Sequence, residues 1–293
     1  MTELVTIASD RLTARIDPLG AELWSLTDAA GAEYMTGADP AFWTGHAPLL
    51  FPIVGALRHG CYRLGGRTYQ LPRHGFARTS RFDLAEKTED FARFTLMDSA
   101  ETREVYPFRF VLGIEFRAEG DVLRTVATVS NRGDEPMWFS FGFHPAFAWP
   151  LSGGAAKTDH RIEFAVDEAG PVRRLDPASG LLLPEPQPSP VDGRGFTPGA
   201  ALFEADGLIW DRLSSRSLTF GAAGGSRLDI GFPDCPMLGV WQKPGADFLC
   251  IEPWQGIADP VDWDGDFRFK PGVVELDGGA SRSFLMDVRV QPS

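Results

Sequence analysis

The sequence predicts an all-β protein, a large antiparallel β-sandwich, and three observations carry that expectation. Hydrophobic residues alternate with a period of two rather than three to four, the repeat of a strand with one buried face. Turn-forming residues recur between the alternating runs. Helical patterning is sparse, and the strand–helix–strand rhythm that a parallel sheet requires is missing. The chain has 293 residues, 43% of them hydrophobic. That supplies a sizeable core and is within the range of one large sandwich, so residues 1–293 are read as a single domain.

Taken in order, Gly65-Gly66 is the first clear hairpin signal. Ser99 to Tyr106 is the one segment with helical character: Ser99 serves as N-cap, acidic residues sit in the first turns, and Pro107 follows the end. Phe108, Phe110, Leu112, Ile114 and Phe116 then alternate with Arg109, Val111, Gly113, Glu115 and Arg117, a half-buried strand that Glu119-Gly120-Asp121 turns back. Asn131-Arg132-Gly133-Asp134 marks a further turn. Between Trp138 and Phe147, Phe139, Phe141 and Phe143 occupy one face, and Ser140, Gly142 and His144 the other. Residues 171–198, rich in Pro, Gly and Ser, are read as a long surface loop. Leu249 and Ile251 alternate with Phe248, Cys250 and Glu252, and Pro253 reads as the turn that ends this strand. Asp277-Gly278-Gly279 precedes the last strand, in which Phe284, Met286, Val288 and Val290 share a face.

The formal net charge of −12 argues against nucleic acid and anionic membranes as partners. Three cysteines, Cys61, Cys235 and Cys250, form neither a disulfide framework nor a CxxC metal pattern. Without a basic, apolar leader or a membrane-length apolar run, a soluble, cytoplasmic protein is expected.

Among five histidines, two have distinctive settings. His74 lies in Leu71-Pro72-Arg73-His74-Gly75-Phe76-Ala77-Arg78. His144 ends a row of small polar residues opposite a row of phenylalanines, an arrangement that leaves room for a ligand; a histidine capping a strand end is the plain alternative. Glu252 follows a strongly apolar strand, where partial desolvation raises a carboxylate's pKa towards that of a useful base; taken alone, a surface glutamate is the commoner reading. Two histidines and a glutamate suit zinc or iron, but no HxH or HExxH spacing accompanies them, so no metal is expected. No GxSxG elbow or nucleotide-binding glycine motif is present. Cys61 and Cys250 lack the cationic setting of a nucleophile and are read as packing residues.

Together these segments resemble the aldose 1-epimerase (galactose mutarotase-like) superfamily, most nearly its LacX-like branch. Five stretches carry the resemblance in the family's order: 50–55 (LFPIVG), 74–78 (HGFAR), 142–145 (GFHP), Leu202-Phe203 through 206–210 (DGLIW), and 250–256 (CIEPWQG). The resemblance implies a supersandwich fold with a sugar cleft on the concave sheet face. It implies that Glu252 takes the proton of the anomeric hydroxyl, that His144 protonates the ring oxygen, and that His74 binds and polarises near that oxygen. It makes Arg58 and Asp206 candidates for sugar hydroxyls, although the Asn-Arg and Asp-His-Pro signatures of galactose mutarotases are missing there and Asp211 competes with Asp206. Arg78 can face the sugar or pair with a carboxylate, and Trp241, Trp43 or Phe143 can pack on an apolar sugar face.

The expected activity is interconversion of the α and β anomers of an aldose, without cofactor or metal, by a monomer or homodimer. Three alternatives stand beside it. A hexose-6-phosphate 1-epimerase would need cations such as Arg58, Arg73 and Arg78 over the phosphate. The others are a non-catalytic carbohydrate-binding or sensing protein and a metal-dependent isomerase.

Overall fold

The computed structural model describes residues 3–293. Two large sheets dominate, and every ladder in them is antiparallel. The larger has nine strands, in the spatial order Gly195–Phe196, His160–Phe164, Ser217–Ala222, Arg227–Gly231, Ser281–Gln291, Val122–Asn131, Phe110–Glu119, Phe91–Met97 and Asp83–Lys87. The smaller runs Leu208–Trp210, Met237–Trp241, Phe248–Gln255, Phe141–Phe143 and Leu49–Leu50, with Ala146–Ala148 also pairing onto Phe248–Gln255. A three-stranded sheet over Val5–Ala8, Leu12–Asp17 and Glu22–Asp28 adds its own buried face.

The alternation seen in the sequence is what joins the two large sheets. Phe110, Leu112, Ile114 and Phe116 from the larger sheet, and Phe284, Met286, Val288 and Val290 beside them, share one buried cluster with Phe141, Phe143, Leu238, Val240, Leu249 and Ile251 from the smaller. Phe141 stacks on Phe284 with centroids 5.1 Å apart and planes 19° from parallel. Burial of each such ring contributes roughly 1.5–3 kcal/mol before the entropy of ordering it is subtracted.

One α-helix is present among the described residues, Ala100–Val105. Ser99 accepts from the Thr102 backbone N–H while Thr102 Oγ1 accepts from the Ser99 N–H, a reciprocal cap that satisfies two otherwise free donors. No helix among the described residues is long and apolar enough to cross a membrane.

Two sequence expectations are corrected here. Pro253 does not end its strand, which continues to Gln255. On one side Pro253 is in register with Leu238; on the other, ladder pairing lapses between Gly142–Trp254 and Ala146–Cys250, and Pro253 falls in that lapse opposite Phe143. Its missing N–H is accommodated where that pairing lapses. The segment 171–198 is likewise more than a surface loop. Leu175 and Leu182 bridge each other and pack with Ile209, Trp254 and Leu50, so the segment folds back over the outer face of the smaller sheet.

Candidate active site

Because Leu249 and Ile251 point into the core, Phe248, Cys250, Glu252 and Trp254 leave the opposite face of the same strand. A cleft of about 260 Å3 lies over that face, close to the ~300 Å3 lower end of small-molecule sites. His74, His144, Glu252, Arg78, Asp206 and Trp241 all line it, as do Arg73 and Trp43.

His144 reaches the cleft because the chain leaves the ladder there. Phe141–Phe143 ends, His144-Pro145 bridges the interruption, and pairing resumes at Ala146, with Ile251 N–H donating to the Pro145 carbonyl at 3.2 Å. The imidazole is left directly over Glu252, with His144 Nε2 3.1 Å from Glu252 Oε2. Trp43 stacks on the ring, centroids 5.0 Å apart. The side chains of His144 and Glu252 keep only 9% and 3% of their exposure. Burial therefore pushes Glu252 well above the usual carboxylate range, with Arg73 opposing and Asp206 reinforcing the shift. Burial pushes His144 down, to about 3, and Arg78 and Arg73 add to the lowering. Raising the carboxylate and lowering the imidazole both move the pair towards sharing a single proton.

His74 is placed by local backbone chemistry. It adopts φ 69°, a left-handed conformation unusual for a side chain of this size. The following Gly75 also has positive φ, and a Cβ there would stand 2.2 Å from the Phe51 carbonyl oxygen, so only glycine fits. Gly55 grips His74 from both sides: its carbonyl accepts from the His74 N–H at 2.9 Å, and its own N–H donates to His74 Nδ1 at 3.1 Å. Burial, together with neighbouring positive charge, holds the ring well below the usual histidine range. A neutral ring whose Nδ1 accepts must carry its proton on Nε2, so His74 is set as a donor. The His74 and His144 rings meet edge to face, centroids 5.6 Å apart.

Behind Gly55 lies a buried ion pair. Lys270 Nζ and Asp259 Oδ1 are 2.8 Å apart with side chains 0% and 3% exposed. Asp259 Oδ2 accepts from the Arg58 N–H, and the Asp259 N–H donates to the Ala56 carbonyl. Removing one partner leaves an uncompensated buried charge, so Lys270→Met is expected to cost about 3–5 kcal/mol. The double variant Lys270→Met, Asp259→Leu is expected to recover part of that loss. Urea unfolding of the single and double variants checks both, and equal losses would contradict this account of the pair.

Arg58 itself is not brought to the cleft. Its backbone is held by Asp259, and its guanidinium donates to the Trp263 carbonyl at 3.2 Å. Asp211 is taken up by Arg173 at 2.8 Å and does not line the cleft either. Asp206 does, at the end of a loop in which Arg174 donates to the carbonyls of Leu202, Asp206 and Gly207. Phe143 faces the core, leaving Trp43 and Trp241 as the aromatic walls from the expected set.

Trp254 is the cleft residue that sequence reasoning missed. A Cβ on Gly142 or on Gly239 would come within 2.5 Å of its indole, which therefore lies across both glycines. The space expected beside His144 for a ligand is filled by this ring. The signal was available: Trp254 follows Glu252 by two, and a strand carried through Pro253 puts both on one face.

The sequence model of the aldose 1-epimerase family matches residues 3–188, a stretch that includes both cleft histidines and ends before Glu252. The chromosomal LacX protein of Lactococcus lactis subsp. lactis is 32% identical over 281 residues, spanning 93% of this chain and 94% of its own. Among solved structures, a galactose mutarotase related enzyme from Lactobacillus acidophilus superposes with a TM-score of 0.89 at 31% identity, covering 99% of this chain and 97% of its own. A galactose mutarotase-like protein from Lactobacillus casei gives 0.91 at 28% identity, covering 99% and 100%.

Proposed function

The chain belongs to the aldose 1-epimerase family, and from that premise we propose that it is an isomerase that interconverts the α and β anomers of a hexose by opening and reclosing the ring. The observation that carries the proposal is the buried His144–Glu252 contact at 3.1 Å on the floor of a sugar-sized cleft. The two oxygens that exchange protons in a hemiacetal share one carbon, so an acid and a base side by side reach both.

In this mechanism the Glu252 carboxylate takes the proton of the anomeric hydroxyl as the C1–O5 bond breaks. When the proton the pair shares sits on His144 rather than on Glu252, the imidazolium gives it to O5, leaving an open aldehyde. The pair has then passed from its charged to its neutral form, the form that burial favours. Rotation about C1–C2 turns the other carbonyl face to O5. On closure His144 recovers the O5 proton and Glu252 returns its own to O1, so no proton is gained or lost overall. His74 Nε2–H donates towards the ring oxygen, and Trp43 and Trp241 meet the apolar sugar faces. No hydride moves and side chains supply every proton, so the reaction needs no cofactor or metal.

A phosphorylated hexose is the second reading, favoured by one observation. Arg73 and Arg78 both line the cleft, and neither has an ion-pair partner among the described residues. Free guanidinium groups there would suit a phosphate. Polarimetry on freshly dissolved α-glucose and α-galactose, beside a coupled assay on α-glucose 6-phosphate, separates the two. Faster decay on the free sugars, unchanged after EDTA treatment, is the expected result. A much higher kcat/KM on the phosphate would establish the second reading, and loss of activity on chelation would contradict the metal-free mechanism.

A further inference from the structure

Cys250 takes no part in that reaction, yet it stands beside the two groups that do. It precedes Glu252 by two residues on one strand and leaves the same face of the sheet. His144, Cys250 and Glu252 each offer one ligand atom, all within 4.8 Å of one another, and all three are buried. The thiol is free, with no disulfide partner.

We propose that His144, Cys250 and Glu252 form a site for a thiophilic divalent cation of the zinc class, and that a cation bound there blocks the acid–base pair. The donor set is nitrogen, sulfur and oxygen, the mixture that zinc accepts with tetrahedral geometry. Two ligands at about 2.05 Å on a tetrahedral zinc stand roughly 3.3 Å apart, and the His144 Nε2–Glu252 Oε2 separation is already 3.1 Å. The ligand atoms of all three residues lie within 4.8 Å of one another, so closing to coordination distance is a small movement. His144 Nδ1 is buried without a hydrogen-bond partner, so no such bond holds the ring against the small reorientation required.

Charge balance favours the same cation. Zinc-class ligation uses the thiolate, the carboxylate and a neutral imidazole. The two negative charges balance the dication, so the loaded site is buried without net charge. Magnesium and calcium, which demand six or more oxygen ligands, are not served by this set. The fourth tetrahedral position falls to water or a sugar hydroxyl on the cleft side, where Glu252 and His144 line the cavity.

The activity part of this inference rests on the proposed anomer interconversion; the binding part does not. Cadmium serves as the probe, because thiolate coordination gives an ultraviolet charge-transfer band that needs no turnover. One equivalent of Cd2+ is expected to produce the band in the wild-type protein and in Cys61→Ser, and none in Cys250→Ala. Glu252→Gln, which keeps the thiol but loses the carboxylate, is expected to bind at least about tenfold more weakly. Without added metal, Cys250→Ala is expected to turn over as the wild type does, while its half-inhibiting zinc concentration rises at least about tenfold. Cys250→Ser and thermal melts guard against a folding defect in the alanine variant. A band that persists in Cys250→Ala, or equal zinc inhibition of wild type and variant, would overturn the proposal. A protein inactive on every sugar but showing the Cys250-dependent band would overturn the proposed function and leave the cation site standing.

Discussion

Glu252→Gln is expected to lower turnover by about a hundredfold or more while sugar binding changes far less. The amide keeps the shape of the carboxylate and can still hydrogen-bond, but it cannot accept the anomeric proton. Trp43, Trp241 and His74 remain to hold the ring. The same substitution is expected to leave the protein at least as stable as the wild type. Burial raises the Glu252 pKa in the folded state above its ordinary 4.5. Such a group's contribution to stability is complete below 4.5 and is lost as the pH rises towards the raised folded value. A neutral amide carries no such loss, so the variant's melting temperature should match or exceed the wild type's at neutral pH. A folded Glu252→Gln protein with near-normal polarimetric turnover would remove the mechanism.

His144→Asn is expected to cause a loss of similar size, because protonating O5 is the other half of the same step. The two losses should not add: once either member is gone the concerted exchange is gone, so the double variant should be little slower than either single one. The stability signature runs the other way. The folded pKa of His144 is lowered to about 3 from an ordinary 6.5. Its favourable contribution is therefore present above 6.5 and is lost as the pH falls towards 3, because the unfolded chain binds the proton more readily. His46, buried and lowered to about 4, acts with the same sign. Melts at pH 7 and pH 5 should show the wild type losing stability on acidification and His144→Asn losing less. An equal drop in both would show that His144 is not held neutral by burial.

The fold was readable in the sequence wherever period-two alternation ran unbroken. Phe108 to Arg117 and Phe284 to Val290 marked the two strands that flank Val122–Asn131, and Ser99 marked the helix start. Alternation around Phe139, Phe141 and Phe143 also identified the row that faces the core. Reading failed at Pro253, where a local rule about proline hid a non-local fact: pairing with the neighbouring strand lapses at that point, so a residue without a donor is accommodated inside the strand. That one error concealed Trp254 and with it the ring that covers Gly142 and Gly239. The fate of Arg58 was also beyond local reading, because it depends on Asp259 and Trp263, both some two hundred residues away. Residues 171–198 misled for a related reason. Their composition is that of a loop, while the burial of Leu175 and Leu182 depends on Ile209 and Trp254, which no local pattern announces. Cys250 was read as packing, which its burial supports, but its closeness to His144 follows from chain crossings that only the folded structure supplies.

The central claim is that the His144–Glu252 pair drives exchange between anomers, and proton exchange spectroscopy reads that directly at equilibrium. Cross-peaks between the α and β anomeric protons of glucose or galactose should appear when the wild-type protein is added. They should disappear with Glu252→Gln, while saturation transfer from protein to sugar persists in both. Cross-peaks of equal intensity with the variant, or none with the wild type although saturation transfer shows the sugar bound, would contradict the account.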